Sequence, residues 1–257
     1  MADDLEVHTE GGVCRVTFSR PEAFNAVDEA MATGLVKALA EAAADEGVRV
    51  VVLTGSGAAF SAGAVLQGEN PVESFDARAM DAANMMVRAI VGAGKPVVAA
   101  VNGVAAGVGA SICFASDLAV AKESASFLLA FTRVGLMPDG GASLTVAAAA
   151  GRARAMRMAL LAEPMSAREA HQVGLISHVV PDDEFEETVE KVVGRLAAGP
   201  PIAYAATKKA INAATLGGLA QALDRERTGQ VVLFGTEDAA EGMRAFVEKR
   251  RPRFTGS

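Results

Sequence analysis

Apolar runs in the first half of the chain predict a series of strands. The β-branched residues of Val13–Phe18, preceded by Gly11-Gly12, predict a strand after a hairpin turn from a first strand near Leu5–Thr9. The continuous runs Val48–Thr54 and Pro96–Val101 are typical of strands covered on both faces, as in parallel sheets. Shorter strands are predicted at Leu118–Ala121, Ala125–Leu129 and Ile176–Val180.

Helical spacing alternates with these strands. Asp28 is a predicted N-cap, because apolar residues recur at every fourth position after it. These positions are Met31, Leu35 and Leu39. Two further helices are predicted over Asp76–Val91 and over Gly107–Ala115. Strands that alternate with helices predict an α/β fold with mainly parallel pairing.

The last part of the chain is predicted to be mainly helical from Gly140 onward. Ser166, followed three residues later by Glu169, forms a capping-box pattern at the start of one of these helices. The pattern changes near residue 195. This change indicates a core body followed by a helical C-terminal extension.

Composition and charge narrow the class of protein. The chain has 257 residues, of which 51% are hydrophobic and 21% charged, and this excludes a disordered chain. Two cysteines, Cys14 and Cys113, are too few for a disulfide framework and are expected in the core of a reduced, cytoplasmic protein. Because 24 basic residues face 31 acidic ones, the net charge is −7, which argues against nucleic-acid binding.

No membrane segment is expected. The acidic stretch Met1–Glu10 lacks the apolar region of a signal peptide. The uncharged stretch Pro96–Ser116 reaches the length of a membrane span, but Asn102 and several glycines interrupt it. We therefore expect a buried strand, a turn and a buried helix there.

The sequence indicates neither a metal site nor a dinucleotide-binding motif. The three histidines, His8, His171 and His178, are far apart, and neither cysteine has a partner at ligand spacing, so no metal is expected. Gly55-Ser56-Gly57 follows a strand but lacks the third glycine of a dinucleotide-binding fingerprint.

A nucleophilic serine is one alternative. Gly109–Cys113 is one residue short of a nucleophile elbow centred on Ser111, because Cys113 stands in place of the last glycine. Asp139 and then His171 or His178 follow in the chain order of an α/β-hydrolase. The other interpretation is that Ser111 is a small residue on a closely packed helix.

Two glycine-bearing segments, 55–63 and 102–109, follow buried strands and are interpreted as loops. Small residues there let a ligand approach backbone N–H groups, and two such loops facing one another would form an oxyanion site. Taken alone, each loop is more simply interpreted as a tight turn. Asp139 lies between apolar residues and Gly140-Gly141 just before a helix, so it is either a functional acid or an N-cap.

Together these elements resemble the crotonase (enoyl-CoA hydratase/isomerase) superfamily over nearly the whole chain. Arg20–Ala26 looks like the first coenzyme A loop of that family, and Val51–Leu66 and Lys95–Leu118 look like its two oxyanion segments. Three later segments also fit, at Gly151–Ala155, Ala167–Ile176 and Ala245–Arg250.

The resemblance implies a fold and an assembly. It implies an α/β, crotonase-like spiral of ββα units over residues 1–195, which would carry an acyl-CoA site. Residues 196–257 would form a helical trimerisation region, in a homotrimer or a dimer of trimers. Coenzyme A would enter as part of the substrate, and no separate cofactor is expected.

The resemblance also implies the site residues. The N–H groups of Ala64 and Val108 would hold the thioester oxygen, and Asp139 occupies a position where some isomerases of the superfamily have their catalytic aspartate. Further contacts with substrate or coenzyme A are expected from Arg20, Ala23, Ala62, Gly63, Leu66, Gly107, Phe131, Phe246 and Lys249. The last two would act across a subunit boundary.

The chain departs from the family at the positions that hydrate alkenes. The two glutamates of the hydratases fall on Ser111 and Phe131, neither of which is a carboxylate. Two-glutamate hydration is therefore not expected. Dehalogenation is disfavoured because no histidine lies between His8 and His171. The remaining hypotheses are double-bond isomerisation with Asp139 as the single base, non-catalytic acyl-CoA binding, another crotonase-type reaction, and thioester hydrolysis by Ser111.

Overall fold

A computed structural model describes residues 4–66 and 76–257 of the chain. Within these ranges the strands form two sheets. The larger sheet contains, in spatial order, β1 (Leu5–Glu10), β2 (Val13–Phe18), β3 (Val50–Gly55), β5 (Val97–Val101), β7 (Leu118–Lys122) and β10 (His178–Val180). The smaller sheet contains β4 (Ala59–Ser61), β6 (Val104–Ala106), β8 (Ser126–Leu128) and β9 (Met165–Ser166).

Parallel pairing dominates both sheets. In the larger sheet only the hairpin β1–β2 is antiparallel, and in the smaller sheet only β8–β9 is, among the described residues. The predicted mainly parallel α/β fold is therefore confirmed. The interiors of β3 and β5 are buried on both faces, as their continuous apolar runs predicted.

Helices follow the strand pairs. Their bounds are α1 (Glu29–Ala44), α2 (Ala77–Gly92), α3 (Val108–Ala115), α4 (Ala142–Ala150), α5 (Arg152–Leu161), α6 (Ala167–Gln172), α7 (Phe185–Ala197), α8 (Pro201–Thr215), α9 (Leu219–Phe234) and α10 (Glu237–Val247). A long strand, a short strand and a helix recur in β3–β4–α2 and β5–β6–α3. In each repeat the first strand joins the larger sheet and the second joins the smaller one.

The predicted helix starts are confirmed by their caps. The Asp28 carboxylate accepts the N–H of Met31 at 2.9 Å, and the Ser166 hydroxyl oxygen accepts the N–H of Glu169 at 3.2 Å. The return bond of a capping box is not made in the described contacts, because the Glu169 carboxylate pairs with Arg157 instead.

The two segments interpreted as loops contain short strands. Segment 55–63 includes β4 and segment 102–109 includes β6, and these two strands pair in parallel. The loop interpretation was wrong for these residues. Three-residue strands rich in alanine carry no periodic signal, and they form here because the neighbouring strands of the smaller sheet pair with them.

The C-terminal helices dock on the core through both polar contacts and close packing. The Lys208 ammonium of α8 lies 2.8 Å from the Asp117 carboxylate and donates to the backbone oxygen of Ile90 at the end of α2. In α10, a Cβ atom on Gly242 would lie 2.5 Å from the backbone of Val134, so this helix packs closely on the core. The change of pattern predicted near residue 195 falls at the end of α7. Trimerisation through residues 196–257 stays a prediction.

The described residues contain neither a candidate membrane span nor a candidate metal-ligand cluster. No helix in ranges 4–66 and 76–257 combines the length and the apolarity that a membrane span requires. Over the same ranges, no three His, Cys, Asp or Glu side chains lie together as metal ligands would.

Candidate active site

A parallel bridge orients the backbone of the first predicted oxyanion segment. Val27 donates its N–H to the oxygen of Gly63 at 2.7 Å and accepts the N–H of Val65 at 3.1 Å. In this pattern the N–H of Ala64 points away from Val27. The Ala62 N–H donates to the oxygen of Phe24, which ties the predicted coenzyme A loop to the same segment.

The second oxyanion segment lies directly against the first. A Cβ atom on Gly63, where φ is +99°, would lie 2.9 Å from the oxygen of Ala106. A Cβ atom on Gly109 would lie 2.6 Å from the oxygen of Ser61. Only glycine lets the two backbones approach this closely. The structure therefore brings together the two segments that the sequence analysis placed at an oxyanion site.

Two backbone N–H groups remain available between these segments. Val108 is the first residue of α3, so its N–H has no acceptor within the helix. Neither this N–H nor that of Ala64 has a hydrogen-bond acceptor among the described residues. Pre-positioned N–H groups of this kind stabilise a developing oxyanion without reorganising.

Asp139 lies beside this arrangement. The Ser111 hydroxyl donates to the backbone oxygen of Asp139 at 2.8 Å and lies 3.4 Å from the oxygen of Gly107, the residue that precedes α3. Ser111 thus connects the turn that carries Asp139 to the start of the helix that carries the Val108 N–H. The ring of Phe131 also approaches Gly107, since a Cβ atom there would lie 3.9 Å from its Cζ atom.

Asp139 is 8% exposed, and only one of its two carboxyl oxygens has a hydrogen-bond partner among the described residues. Its Oδ2 accepts the side-chain N–H of Gln230 at 2.9 Å, whereas its Oδ1 is buried without a partner among the described residues. Burial raises the pKa of Asp139 to about 7; the Gln230 hydrogen bond opposes this rise and the charge of Glu226 adds to it. This carboxyl is suited to exchanging a proton near neutral pH.

Asp139 is not the N-cap of the helix that follows it. Helix α4 begins after Gly141, whose N–H is accepted by Oε2 of Glu226 at 2.7 Å. Oε1 of Glu226 accepts the N–H of Ser143 at 3.0 Å. A buried carboxylate from α9 therefore caps α4, and burial raises the pKa of Glu226. The Asp139 side chain is left without a role in capping.

Sequence reasoning missed Glu226 and Gln230, although a signal for them exists. Leu219, Leu223, Glu226 and Gln230 recur at helical spacing, and all four are buried. Two polar residues in an otherwise apolar stripe indicate buried polar partners. The partners themselves are visible only in the folded chain.

The other predicted contacts differ in their surroundings. The Arg20 guanidinium pairs with Asp4 and, at 2.6 Å, with Asp28, so it is engaged within the chain. Ala23 and Leu66 are partly exposed beside the first segment. Phe246 and Lys249 are exposed at the end of α10, which packs on residues 134–135 and not on the glycine segments. Their roles in coenzyme A binding stay predictions.

The geometry does not support the serine triad. The Ser111 hydroxyl donates to a backbone oxygen, and no imidazole contacts it among the described residues. His178 lies on β10 beside Ser177, and His171 lies on α6. Ser111 is instead a small residue on a closely packed helix, because α3 is buried at nearly every position.

Comparison with known proteins gives consistent full-length matches. A family model described as enoyl-CoA hydratase/isomerase matches residues 8–257. The chain is 38% identical to a protein of Escherichia coli (strain K12) named 1,2-epoxyphenylacetyl-CoA isomerase, with 100% of both chains covered. It is 42% identical to a Rhodobacter capsulatus protein named probable enoyl-CoA hydratase, with 95% of each covered.

A solved structure matches equally well. The crystal structure described as an enoyl-CoA hydratase from Mycobacterium avium subsp. paratuberculosis superposes with a TM-score of 0.92 at 48% identity, covering 98% of each chain. The relatives carry isomerase and hydratase names side by side. The family likeness therefore leaves the choice between these two reactions to the geometry of the site.

Proposed function

Since the chain belongs to the enoyl-CoA hydratase/isomerase family, we propose that it moves the double bond of a 3-enoyl-CoA to the 2-position. The observation that carries this proposal is the Asp139 carboxyl, which is buried with Oδ1 unpartnered among the described residues, on a segment that Ser111 links to the start of α3. A single base of this kind is sufficient for isomerisation.

The two backbone N–H groups act on the thioester. The carbonyl oxygen of the substrate accepts hydrogen bonds from Ala64 and Val108. These bonds strengthen as negative charge develops on the oxygen, and one such donor is typically worth ~10²–10³ in rate. The proton on carbon 2 becomes more acidic as a result.

Asp139 then moves the proton. Its carboxylate takes the proton from carbon 2. The electron pair of the C–H bond forms the new carbon 1–carbon 2 double bond, and the π electrons of the carbonyl move to the oxygen. When the carbonyl re-forms, the carbon 3–carbon 4 electrons take the proton back at carbon 4, leaving the double bond between carbons 2 and 3. A pKa near 7 makes Asp139 both an adequate base and an adequate acid.

Hydration is the less suitable reaction for this site. It requires a group that activates water as well as one that protonates carbon. Ser111 and Phe131 stand at the positions of the two hydratase glutamates, and both oxygens of the nearby Glu226 accept backbone N–H groups. Of these two buried carboxyls, Asp139 is the one with an oxygen left to exchange a proton with a substrate.

The test is turnover of a 3-enoyl-CoA by the wild-type chain and by Asp139→Asn, with the exposed Asp183→Asn as the matched control. Formation of the conjugated 2-enoyl thioester by wild type and Asp183→Asn, with a loss of about 10²-fold or more in Asp139→Asn, is the expected result. Isomerisation that persists in Asp139→Asn would overturn the proposal. Acyl-CoA binding without turnover in wild type would favour the non-catalytic binding protein.

A further inference from the structure

Gln230 contacts the segment that carries Asp139 at two points. On the buried face of α9, its Oε1 accepts the backbone N–H of Met137 at 3.2 Å and its Nε2 donates to Oδ2 of Asp139 at 2.9 Å. The backbone N–H of Met137 can only donate, so it fixes which end of the Gln230 amide carries the oxygen. The amide must then present its NH₂ group to Asp139.

The close approach of α9 makes this contact rigid. A Cβ atom on Gly229 would lie 2.4 Å from the sulfur of Met137, so the helix sits directly on the segment at this point. One turn earlier on the same face, Glu226 accepts the N–H groups of Gly141 and Ser143. Helix α9 therefore holds three backbone N–H groups on both sides of Asp139.

We propose that Gln230 is a positioning residue that orients the Asp139 carboxyl. By occupying Oδ2, it leaves Oδ1 as the oxygen that exchanges the proton. Because Oδ2 receives the fixed N–H of Gln230, a proton on Asp139 resides on Oδ1, the oxygen without a partner among the described residues. The same bond stabilises the carboxylate and orients it. This inference rests on the proposed isomerase function, but the effect of Gln230 on the pKa of Asp139 can be tested without turnover.

Few charged groups act on Asp139 in the described structure. From α9, Glu226 faces it and carries a negative charge, which the neighbouring Arg225 partly offsets at Glu226. From α3 and α2, the Ser111 hydroxyl and the Val87 side chain lie against this segment, and neither carries a charge near neutral pH. A change in the Asp139 titration after substitution of Gln230 therefore reports on the hydrogen bond.

The first experiment measures the pKa of Asp139 directly. Carboxyl ¹³C resonances of aspartate-labelled protein are titrated, and the Asp139→Asn variant assigns the signal. Gln230→Met removes the donor while keeping the length of the side chain, and Gln221→Met is the matched control on the exposed face of α9. We expect the pKa of Asp139 to rise by about one pH unit in Gln230→Met, since a hydrogen bond to a charged group is lost. The pKa should not change in Gln221→Met.

The second experiment separates positioning from binding. In Gln230→Met, kcat for isomerisation is expected to fall by roughly 10-fold or more while the affinity for a saturated acyl-CoA stays unchanged. Gln230→Glu keeps the shape and the Met137 contact but places a second carboxyl against Asp139. The pair would share a proton, so the rise of kcat/KM with pH should shift to higher pH than in wild type. Its plateau should stay below that of wild type, because no N–H then reaches Oδ2. A shifted pH profile excludes simple misfolding.

The outcomes distinguish this inference from the proposed function. An unchanged pKa of Asp139 in Gln230→Met, or a kcat that is unchanged in both Gln230 variants, would overturn the positioning role. If wild type does not isomerise a 3-enoyl-CoA but the pKa of Asp139 still rises in Gln230→Met, the hydrogen bond between Gln230 and Asp139 is confirmed. In that case the proposed reaction is wrong, and so is the assignment of proton transfer to Oδ1.

Discussion

The hydroxyl of Ser111 donates to the backbone carbonyl of Asp139 over 2.8 Å. Position 111, at which the family resemblance implies a glutamate in the hydratases, thus holds the backbone of the proposed base in this chain. Gly140 packs against it so closely that a Cβ atom would lie 2.8 Å from the Cβ of Ser111. A glutamate carboxylate at position 111 could not replace this hydrogen bond, because a carboxylate accepts and cannot donate to the Asp139 carbonyl.

Ser111→Ala should keep most of the activity. The substitution removes one hydrogen bond to a backbone oxygen, which costs about 1 kcal/mol in the free energy of unfolding. We expect kcat to fall by less than about 10-fold, since Gln230 and Glu226 still hold the segment. Steady-state kinetics and urea unfolding measure both effects. Labelling of Ser111 by a fluorophosphonate, or complete loss of turnover in Ser111→Ala, would revive the thioester hydrolase hypothesis.

Gly109→Ala should damage the oxyanion site. The new methyl group would lie 2.6 Å from the oxygen of Ser61, which forces the first turn of α3 away from the Ala64 segment. The Val108 N–H would move with that turn, and misplacing one oxyanion donor typically costs ~10²–10³ in kcat. Steady-state kinetics with a 3-enoyl-CoA measure this loss.

The matched control for this prediction is Gly92→Ala at the end of α2. A Cβ atom on Gly92 meets no atom within 4 Å, and alanine has the higher helix propensity. Its kcat should equal that of wild type. Equal activity of Gly109→Ala and Gly92→Ala would mean that the Val108 N–H plays no part in the reaction.

Asp139 should destabilise the folded chain at neutral pH. Its pKa is about 7 in the folded chain, against an ordinary value of 3.8 for an aspartate, so the folded state binds the proton more tightly than the unfolded state. Stability is therefore lost as pH rises from about 4 to 7, by up to about 1.4 kcal/mol per pH unit. Asp139→Asn removes this titration. The free energy of unfolding of Asp139→Asn, minus that of wild type, should be larger at pH 8 than at pH 5 by at least about 1 kcal/mol.

Urea unfolding at the two pH values measures this gain. Asp183→Asn serves as the control, because Asp183 is exposed and its substitution should leave the pH dependence as in wild type. A stability difference between Asp139→Asn and wild type that does not change with pH would contradict the raised pKa of Asp139.

Much of the larger sheet was predictable, because its central strands β3 and β5 are continuous apolar runs. Val13–Phe18 and Pro96–Val101 match β2 and β5 to within one residue. The family resemblance, and with it the crotonase fold, is confirmed by the full-length matches. The short strands β4 and β6 were missed, because segments of three residues pair only where neighbouring strands already offer hydrogen-bond partners.

The candidate site was predictable in part. Its glycine segments follow predicted strands, and Asp139 precedes a predicted helix. These positions at the ends of elements made all three candidates for one site. The state of Asp139 was not predictable, because its burial and the Gln230 contact depend on how α9 docks 91 residues away in sequence. Glu226 was missed for the same reason, since a glutamate in a helix is usually solvated.

Proton abstraction by Asp139 is the central claim, and deuterium exchange tests it most directly. Wild type and Asp139→Asn are each incubated with a 3-enoyl-CoA in deuterated water, and the mass of the recovered thioesters is measured. We predict conversion to the 2-enoyl thioester with wild type, and with Asp139→Asn both this conversion and any deuterium incorporation slower by about 10²-fold. Conversion or incorporation at the wild-type rate in Asp139→Asn would contradict the claim, as would a wild type that, saturated with the thioester, neither converts it nor incorporates deuterium.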